Sequence, residues 1–376
     1  MSESKTKRLE VVFCTDGIFP HSVGGMQRHS RLLIEELAKR NNVDLIVIHP
    51  HEEKTIFAEF PSVEEVKLKP LPQKKYYLSE LYDYSKEVLK VIKKYPNAVV
   101  YSQGLSVWSG IKEVGQRVIV NPHGLEPYQT LSKTDYLKTA PFRAIFNYVF
   151  SNAKAVVSLG GRLTDILSGR VGKNTELVIL PNATNLPDSK KEIKVADKVK
   201  CLFVGRFAYN KGIDIFMDSI EKINSKGLSD KFEFFLAGKG PLFDEYKEKY
   251  NFPNAHLLGF VSDEQLSQLY ADCSVFVFPT LFEGMPTVVL EAMALSLPII
   301  VTDVGATKEL VDDSNGYIID KESSNSLVNA LLTFSSLAPE DKKELAENSF
   351  AKVEKQFTWK AVAKEHEILF KSIQSH

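Results

Sequence analysis

The chain reads as an α/β protein built from two doubly wound parallel-sheet domains. Three observations carry that expectation. Short β-branched and apolar runs alternate with longer amphipathic stretches, the alternation starts afresh near residue 200, and 376 residues exceed one ordinary core. Continuous apolar strands separated by helices are the pattern of parallel sheets covered on both faces.

In the first half, residues 9–14, 43–49, 98–101, 118–121, 155–159 and 176–180 predict buried strands. Residues 27–39 predict a helix, with Leu32, Leu33, Leu37 and Ala38 at helical spacing. The second series runs through 200–205, 232–237, 255–258, 274–278, 298–302 and 316–319. Between the two series, residues 187–198 are rich in lysine and acid and predict the boundary. The expected organisation is an N-terminal domain over 1–187, a second over 188–355, and a terminal helix over 356–376. Two such domains are expected to face one another across a cleft at the carboxyl ends of their strands.

Composition narrows the class. No apolar run approaches the roughly 20 residues that span a bilayer, and the N-terminus leads into a strand rather than a signal-peptide core. Cytoplasmic residence is the expectation. Cys14, Cys201 and Cys273 lie far apart, without CxxC spacing, which argues against a disulfide framework or zinc site and for small core residues. The net charge of −1 hides an asymmetry: residues 1–190 carry 26 Lys and Arg against 20 Asp and Glu, and the remainder 21 against 28. The basic excess is too diffuse for nucleic acid, which calls for a clustered stripe.

The stretch Glu283-Gly284-Met285-Pro286-Thr287 is the most informative, with a second carboxylate at Glu291. Pro286 suits the first turn of a helix, so Glu283 falls in the entering loop and Glu291 about one and a half turns inside. Free N–H groups at such a start attract phosphate or sugar oxygens. Two carboxylates bracketing an anion site suggest a charged, hydroxyl-rich ligand such as a sugar nucleotide. Gly24-Gly25 lies between the first strand and first helix, where glycine lets backbone approach a ligand, though a plain tight turn is as good a reading. Gly205-Arg206 and Lys211-Gly212 follow the first strand of the second half, placing two cations that can converge on a diphosphate. Gly238-Lys239-Gly240-Pro241 lacks a third glycine, and so fails as a dinucleotide fingerprint but suits a tight loop lining the same cleft. His123-Gly124 ends another strand, where a histidine can contact substrate or serve a structural role. HExxH, GxSxG and Walker A patterns are absent from the sequence.

Taken in order, these stretches resemble the retaining glycosyltransferases of family 4, which have the GT-B fold. The resemblance runs along nearly the whole chain and is most specific from Glu283 through Glu291 to Pro298–Asp303 and Gly305. It implies that Arg206 and Lys211 stabilise a leaving nucleoside diphosphate without a metal or other cofactor. It implies that Glu291 binds the ribose and Glu283 the donor-sugar hydroxyls. Gly205, Gly238, Gly284, Met285, Pro286 and Thr287 would line the sugar and phosphate, with Gly24 and Gly25 covering the phosphates from the first domain. His123 would contact the sugar, and Phe260-Val261 the base. The terminal segment from Phe357 resembles one that crosses back to the first domain. Two places depart from the family pattern: Pro181-Asn182-Ala183-Thr184-Asn185, where a glycine and an aspartate are usual, and Pro20-His21 in place of a double proline.

The resemblance implies a hexose transferred from a UDP or GDP sugar to a glycan, lipid-linked oligosaccharide or glycolipid. The donor base and sugar stay open. Lys74-Lys75-Tyr76-Tyr77 and residues 133–150 mix bases with aromatics and could meet anionic lipid at the inner face of a membrane; an ordinary solvated helix face is the competing reading. A nucleotide-sugar hydrolase, epimerase or phosphorylase on the same scaffold is the alternative enzyme, and a non-catalytic sugar-nucleotide binder the third reading.

Overall fold

A computed structural model describes residues 8–71, 77–130, 132–188 and 198–374. The Lys74–Tyr76 stretch and most of the expected boundary segment lie outside the described residues. The chain divides into two compact units. Unit 1 comprises Met1–Leu159, Leu163–Asn182 and Trp359–His376, and unit 2 comprises Gly160–Arg162 and Ala183–Thr358. The division lies a little before the acid- and lysine-rich segment. Thr184 already bridges to Thr358 and donates its N–H to the Phe357 carbonyl at 2.8 Å, which ties this stretch to unit 2.

Among the described residues, unit 1 holds seven strands: β1 (Leu9–Cys14), β2 (Val43–His49), β3 (Val63–Lys67), β4 (Val99–Gln103), β5 (Val118–Asn121), β6 (Ala155–Ser158) and β7 (Glu176–Ile179), in the order 3-2-1-4-5-6-7. Unit 2 holds six: β8 (Val199–Val204), β9 (Phe232–Ala237), β10 (Ala255–Gly259), β11 (Val275–Phe278), β12 (Ile299–Thr302) and β13 (Gly316–Ile319), in the order 10-9-8-11-12-13. Each recorded strand pairing within the sheets is parallel. The fold class is therefore the one the apolar periodicity predicts, with a Rossmann-like sheet in each unit.

Burial explains why these strands form. β5, β6, β11 and β12 are buried along their whole length, and Phe203, Phe216, Phe234, Phe276 and Phe278 interlock in the unit 2 core. The three cysteines are buried, each a core residue. The strand β3 is one the apolar pattern does not predict. Its Val-Glu-Glu-Val-Lys sequence sits half exposed at the sheet edge, where only one flank needs pairing.

Each strand order reverses once, between β1 and β4 in unit 1 and between β8 and β11 in unit 2. Open α/β sheets bind ligands at such switch points, outside the carboxyl ends of the strands. In unit 1 the terminal helix Trp359–Gln374 packs on helix Gly25–Ala38 and on β1 and β4. Its Glu367 accepts from Arg40 at 2.7 Å and from Asn42 at 2.6 Å. Among the described residues no helix is long and apolar enough to cross a membrane.

Candidate functional site

In unit 2 the loops leaving β8 and β11 meet at the switch point. After β8 the chain makes a 3-10 turn, Tyr209–Lys211, and enters helix Ile213–Ser225 through Gly212, whose φ of 67° is left-handed. A Cβ on Gly212 would lie 1.9 Å from the Pro279 carbonyl oxygen, so only glycine lets the turn lie this close to the β11 loop. The Asn210 carbonyl fixes that approach, accepting from the Leu281 N–H at 2.9 Å and the Thr280 hydroxyl at 3.0 Å.

The result is a direct ion pair between Lys211 Nζ and Glu283 Oε1. Both side chains are mostly buried, at 22% and 16% exposed, so the pair sits in a lower dielectric than a surface bridge. Arg206, expected to act beside Lys211, is exposed and joins no ion pair among the described residues. The structure thus brings Lys211 to Glu283, whereas no described contact joins either to Arg206.

Behind Glu283 the loop is braced from β12. The Gly284 carbonyl accepts from the Ala306 N–H at 2.9 Å, and the Thr302 hydroxyl donates to the Thr280 carbonyl. A side chain at Gly305 would collide with the Glu283 and Gly284 carbonyls, which gives a packing reason for glycine there. Pro286 caps helix Thr287–Ala294, one position before the first helical turn where the sequence places it; its carbonyl accepts the first helical bonds, from Val289 and Leu290. Glu291 lies inside that helix, and the Tyr270 hydroxyl reaches its Oε2 at 3.4 Å. Burial and the Glu291 carboxylate together hold the Tyr270 phenol well above its ordinary pKa, so it stays a neutral donor.

Three strand-end loops complete this region. The Gly205 N–H donates to the Ala237 carbonyl at 3.0 Å and the Gly238 N–H to the Gly259 carbonyl at 2.7 Å. Gly205 and Gly238 are in backbone contact: a Cβ on the latter would lie 1.9 Å from the Gly205 oxygen. Phe260, just beyond, is 81% exposed, and Val261 is half-buried.

In unit 1, Gly24 and Gly25 are exposed at the start of helix Gly25–Ala38, and a Cβ on Gly25 would meet no protein atom within 4 Å. His123 follows β5 with a φ of 58°, rare for a side-chain-bearing residue. Its N–H donates to Asn121 Oδ1 at 2.9 Å, and its Nε2 pairs with Gln103 Oε1. Since Gln103 Oε1 can only accept, Nε2 carries the proton. Burial lowers the His123 pKa to about 3, keeping the ring neutral. Gly24, Gly25 and His123 belong to unit 1 and the remaining candidates to unit 2. Tyr270, Thr280 and Gln103 escape the sequence reading because none is part of a motif it singles out, whereas Thr302 lies in the Pro298–Asp303 run, which it does single out.

Comparison with known proteins fits this geometry to a class. Two family models cover most of the chain: Glycosyltransferase Family 4 over residues 23–187, and Glycosyl transferases group 1 over residues 198–336. The chain belongs to the family 4, group 1 glycosyltransferases. An uncharacterized glycosyltransferase of Methanocaldococcus jannaschii is 32% identical over 58% of this chain and 59% of its own length. The phosphatidylinositol N-acetylglucosaminyltransferase GPI3 subunit of Saccharomyces cerevisiae is 24% identical over 70% of this chain and 59% of its own. The chain thus spans little more than half the length of these curated relatives. The solved sucrose-phosphate synthase of Thermosynechococcus elongatus superposes with a TM-score of 0.78 at 20% identity, over 98% of this chain and 100% of that one, which bears out the GT-B fold.

Proposed function

We propose that this protein transfers a hexose from a nucleoside-diphosphate sugar to a glycan or lipid-linked acceptor, with retention at the anomeric carbon. The observation that carries the reading is the Lys211–Glu283 pair at the head of helix Thr287–Ala294, with Arg206 exposed at the adjoining strand end. Without a donor, Glu283 neutralises Lys211. A diphosphate arriving beside the helix start offers Lys211 a second anionic partner and frees Glu283 to accept hydrogen bonds from sugar hydroxyls. Arg206 and Lys211 then stand where negative charge grows on the departing diphosphate, so transition-state stabilisation is electrostatic and calls for no metal ion or other cofactor. Glu291, oriented by Tyr270, binds the ribose, and Phe260 and Val261 flank the base.

The acceptor is assigned to unit 1. Residues 133–150 support a basic, aromatic contact surface: Leu137 and Tyr136 are exposed there, and Arg143 lies 3.5 Å over the Tyr136 ring. A cytoplasmic enzyme docking at the inner membrane face fits this surface, and the lipid named for the yeast relative supports the lipid-linked class.

The test is release of UDP or GDP from a panel of sugar nucleotides, with and without cell-envelope lipid extract and with EDTA present. Slow release accelerated by the extract, with the product's anomeric configuration matching the donor by NMR, is the expected result. Release unaffected by any acceptor points to the hydrolase alternative, and failure of every donor to release diphosphate overturns the reading.

A further inference from the structure

His123 holds a left-handed backbone without being glycine, so something must hold it there. The structure supplies a buried chain of hydrogen bonds whose every direction can be deduced. On the terminal helix, His366 Nδ1 lies 2.8 Å from the Val362 carbonyl, which can only accept, so Nδ1 carries the proton. The ring is neutral, since burial lowers its pKa to about 4, and Nε2 is therefore an acceptor. Tyr101 lies 2.9 Å from that nitrogen, and its single proton goes there. The Tyr101 oxygen is left to accept from Asn121 Nδ2 at 2.9 Å. That bond turns the other end of the amide, Oδ1, onto the His123 N–H at 2.9 Å.

One carbonyl on the terminal helix thus dictates the orientation of every group up to the strained turn. Tyr101, Asn121 and His366 are all buried, so water does not compete for these bonds. Tyr101 is further gripped between Phe13 and Phe370, with ring centroids 5.2 and 5.3 Å away. Gln103 joins the same group: its Oε1 accepts from His123 Nε2, and its side chain also hydrogen-bonds Tyr101, so the tyrosine oxygen is the shared anchor of both amides that meet the turn.

We propose that Tyr101 and His366 are positioning residues that lock the His123–Gly124 backbone in place, making the terminal helix Trp359–Gln374 a working part of the site. This rests on the transferase reading for what the turn contacts, but not for the relay itself.

The test is Tyr101→Phe in the full chain, which keeps the ring and removes only the oxygen. Amide hydrogen exchange at His123 and Gly124 is expected to quicken about tenfold or more once the Asn121 amide loses its anchor. Diphosphate release is expected to fall about 10²-fold in kcat, with the donor KM moving less, as for a misplaced group. As single substitutions, His366→Gln, whose amide oxygen can still accept the tyrosine proton, is expected to keep both readouts near wild type, and His366→Phe to shift both as Tyr101→Phe does. Ile373→Val on the same helix controls for packing and changes neither. Unchanged exchange in Tyr101→Phe overturns the relay, and faster exchange with wild-type kcat overturns the positioning role. A wild-type protein that releases no diphosphate, while the variants still exchange as described, supports the relay and sinks the transferase reading.

Discussion

Single residues in this protein divide by whether the fold or the ligand demands them. Gly25 belongs to the second kind, because no protein atom occupies the space a methyl would take. Gly25→Ala is therefore expected to leave the thermal midpoint unchanged or slightly raised, as the unfolded chain loses freedom. It should nonetheless weaken donor binding if backbone there approaches phosphate. Isothermal titration with the donor and a melting curve read the two effects separately, and a variant that binds normally removes Gly25 from the site. Arg206 makes a sharper case, since it is exposed and joins no ion pair among the described residues. Arg206→Ala should reduce turnover on the order of 10²–10³-fold with the fold intact. Glu291→Ala should act mainly on donor KM, because the ribose is bound alike in ground and transition states. Wild-type kinetics in both variants would remove the assigned roles.

At the level of elements, the strands were legible because parallel strands buried on both faces read as continuous apolar runs, as β5, β6, β11 and β12 do. β3 was not, since an edge strand tolerates Glu64, Glu65 and Lys67. Its Glu65 has a task invisible in sequence: it accepts from the Ile56 and Phe57 N–H groups and pairs with His49 at 3.0 Å. The candidate residues stood out as charges and glycines at strand ends, but their pairing did not. The sequence assigns Lys211 and Glu283 to the same donor but not to direct contact with each other, and Tyr101 and His366 look like ordinary core positions. What makes the pairing possible is the contact of two loops at Gly212. Gly212→Ala adds a Cβ where the Pro279 oxygen stands, in a backbone conformation that alanine resists. It should destabilise unit 2 by about 1–3 kcal/mol, and lower turnover by moving Lys211 away from Glu283. A melting shift without loss of turnover would mean the ion pair does not depend on this contact.

Across the whole molecule the titratable groups are unevenly shared, and this gives the two units different acid responses. In unit 1, burial lowers the pKa of His29, His49, His51, His123 and His366, to about 4 for His51 and His366 and about 3 for His123. A histidine held neutral in the folded state and titrating near 6.5 when unfolded contributes stability that is complete above pH 6.5. That stability is lost as pH falls toward the folded value. For His366 alone the loss by pH 5 is on the order of 2 kcal/mol, a large part of a typical 5–15 kcal/mol total. Asp16, its carboxyl raised by burial, works in the opposite sense and offsets part of this. In unit 2 the lowered groups include Asp303, paired with Arg162 and Lys308, and Asp312, paired with Lys352, both near 2. Their stability persists above the unfolded carboxylate range and is lost only below about pH 4. Unit 1 should therefore weaken first on acidification. The two tryptophans, Trp108 and Trp359, both lie in unit 1, so tryptophan fluorescence melts report that unit while circular dichroism reports both. Between pH 7 and 5 the fluorescence midpoint should drop while a second, later circular dichroism transition holds. A fluorescence midpoint that stays flat across that range would mean the buried histidines are not held neutral at the expense of acid stability.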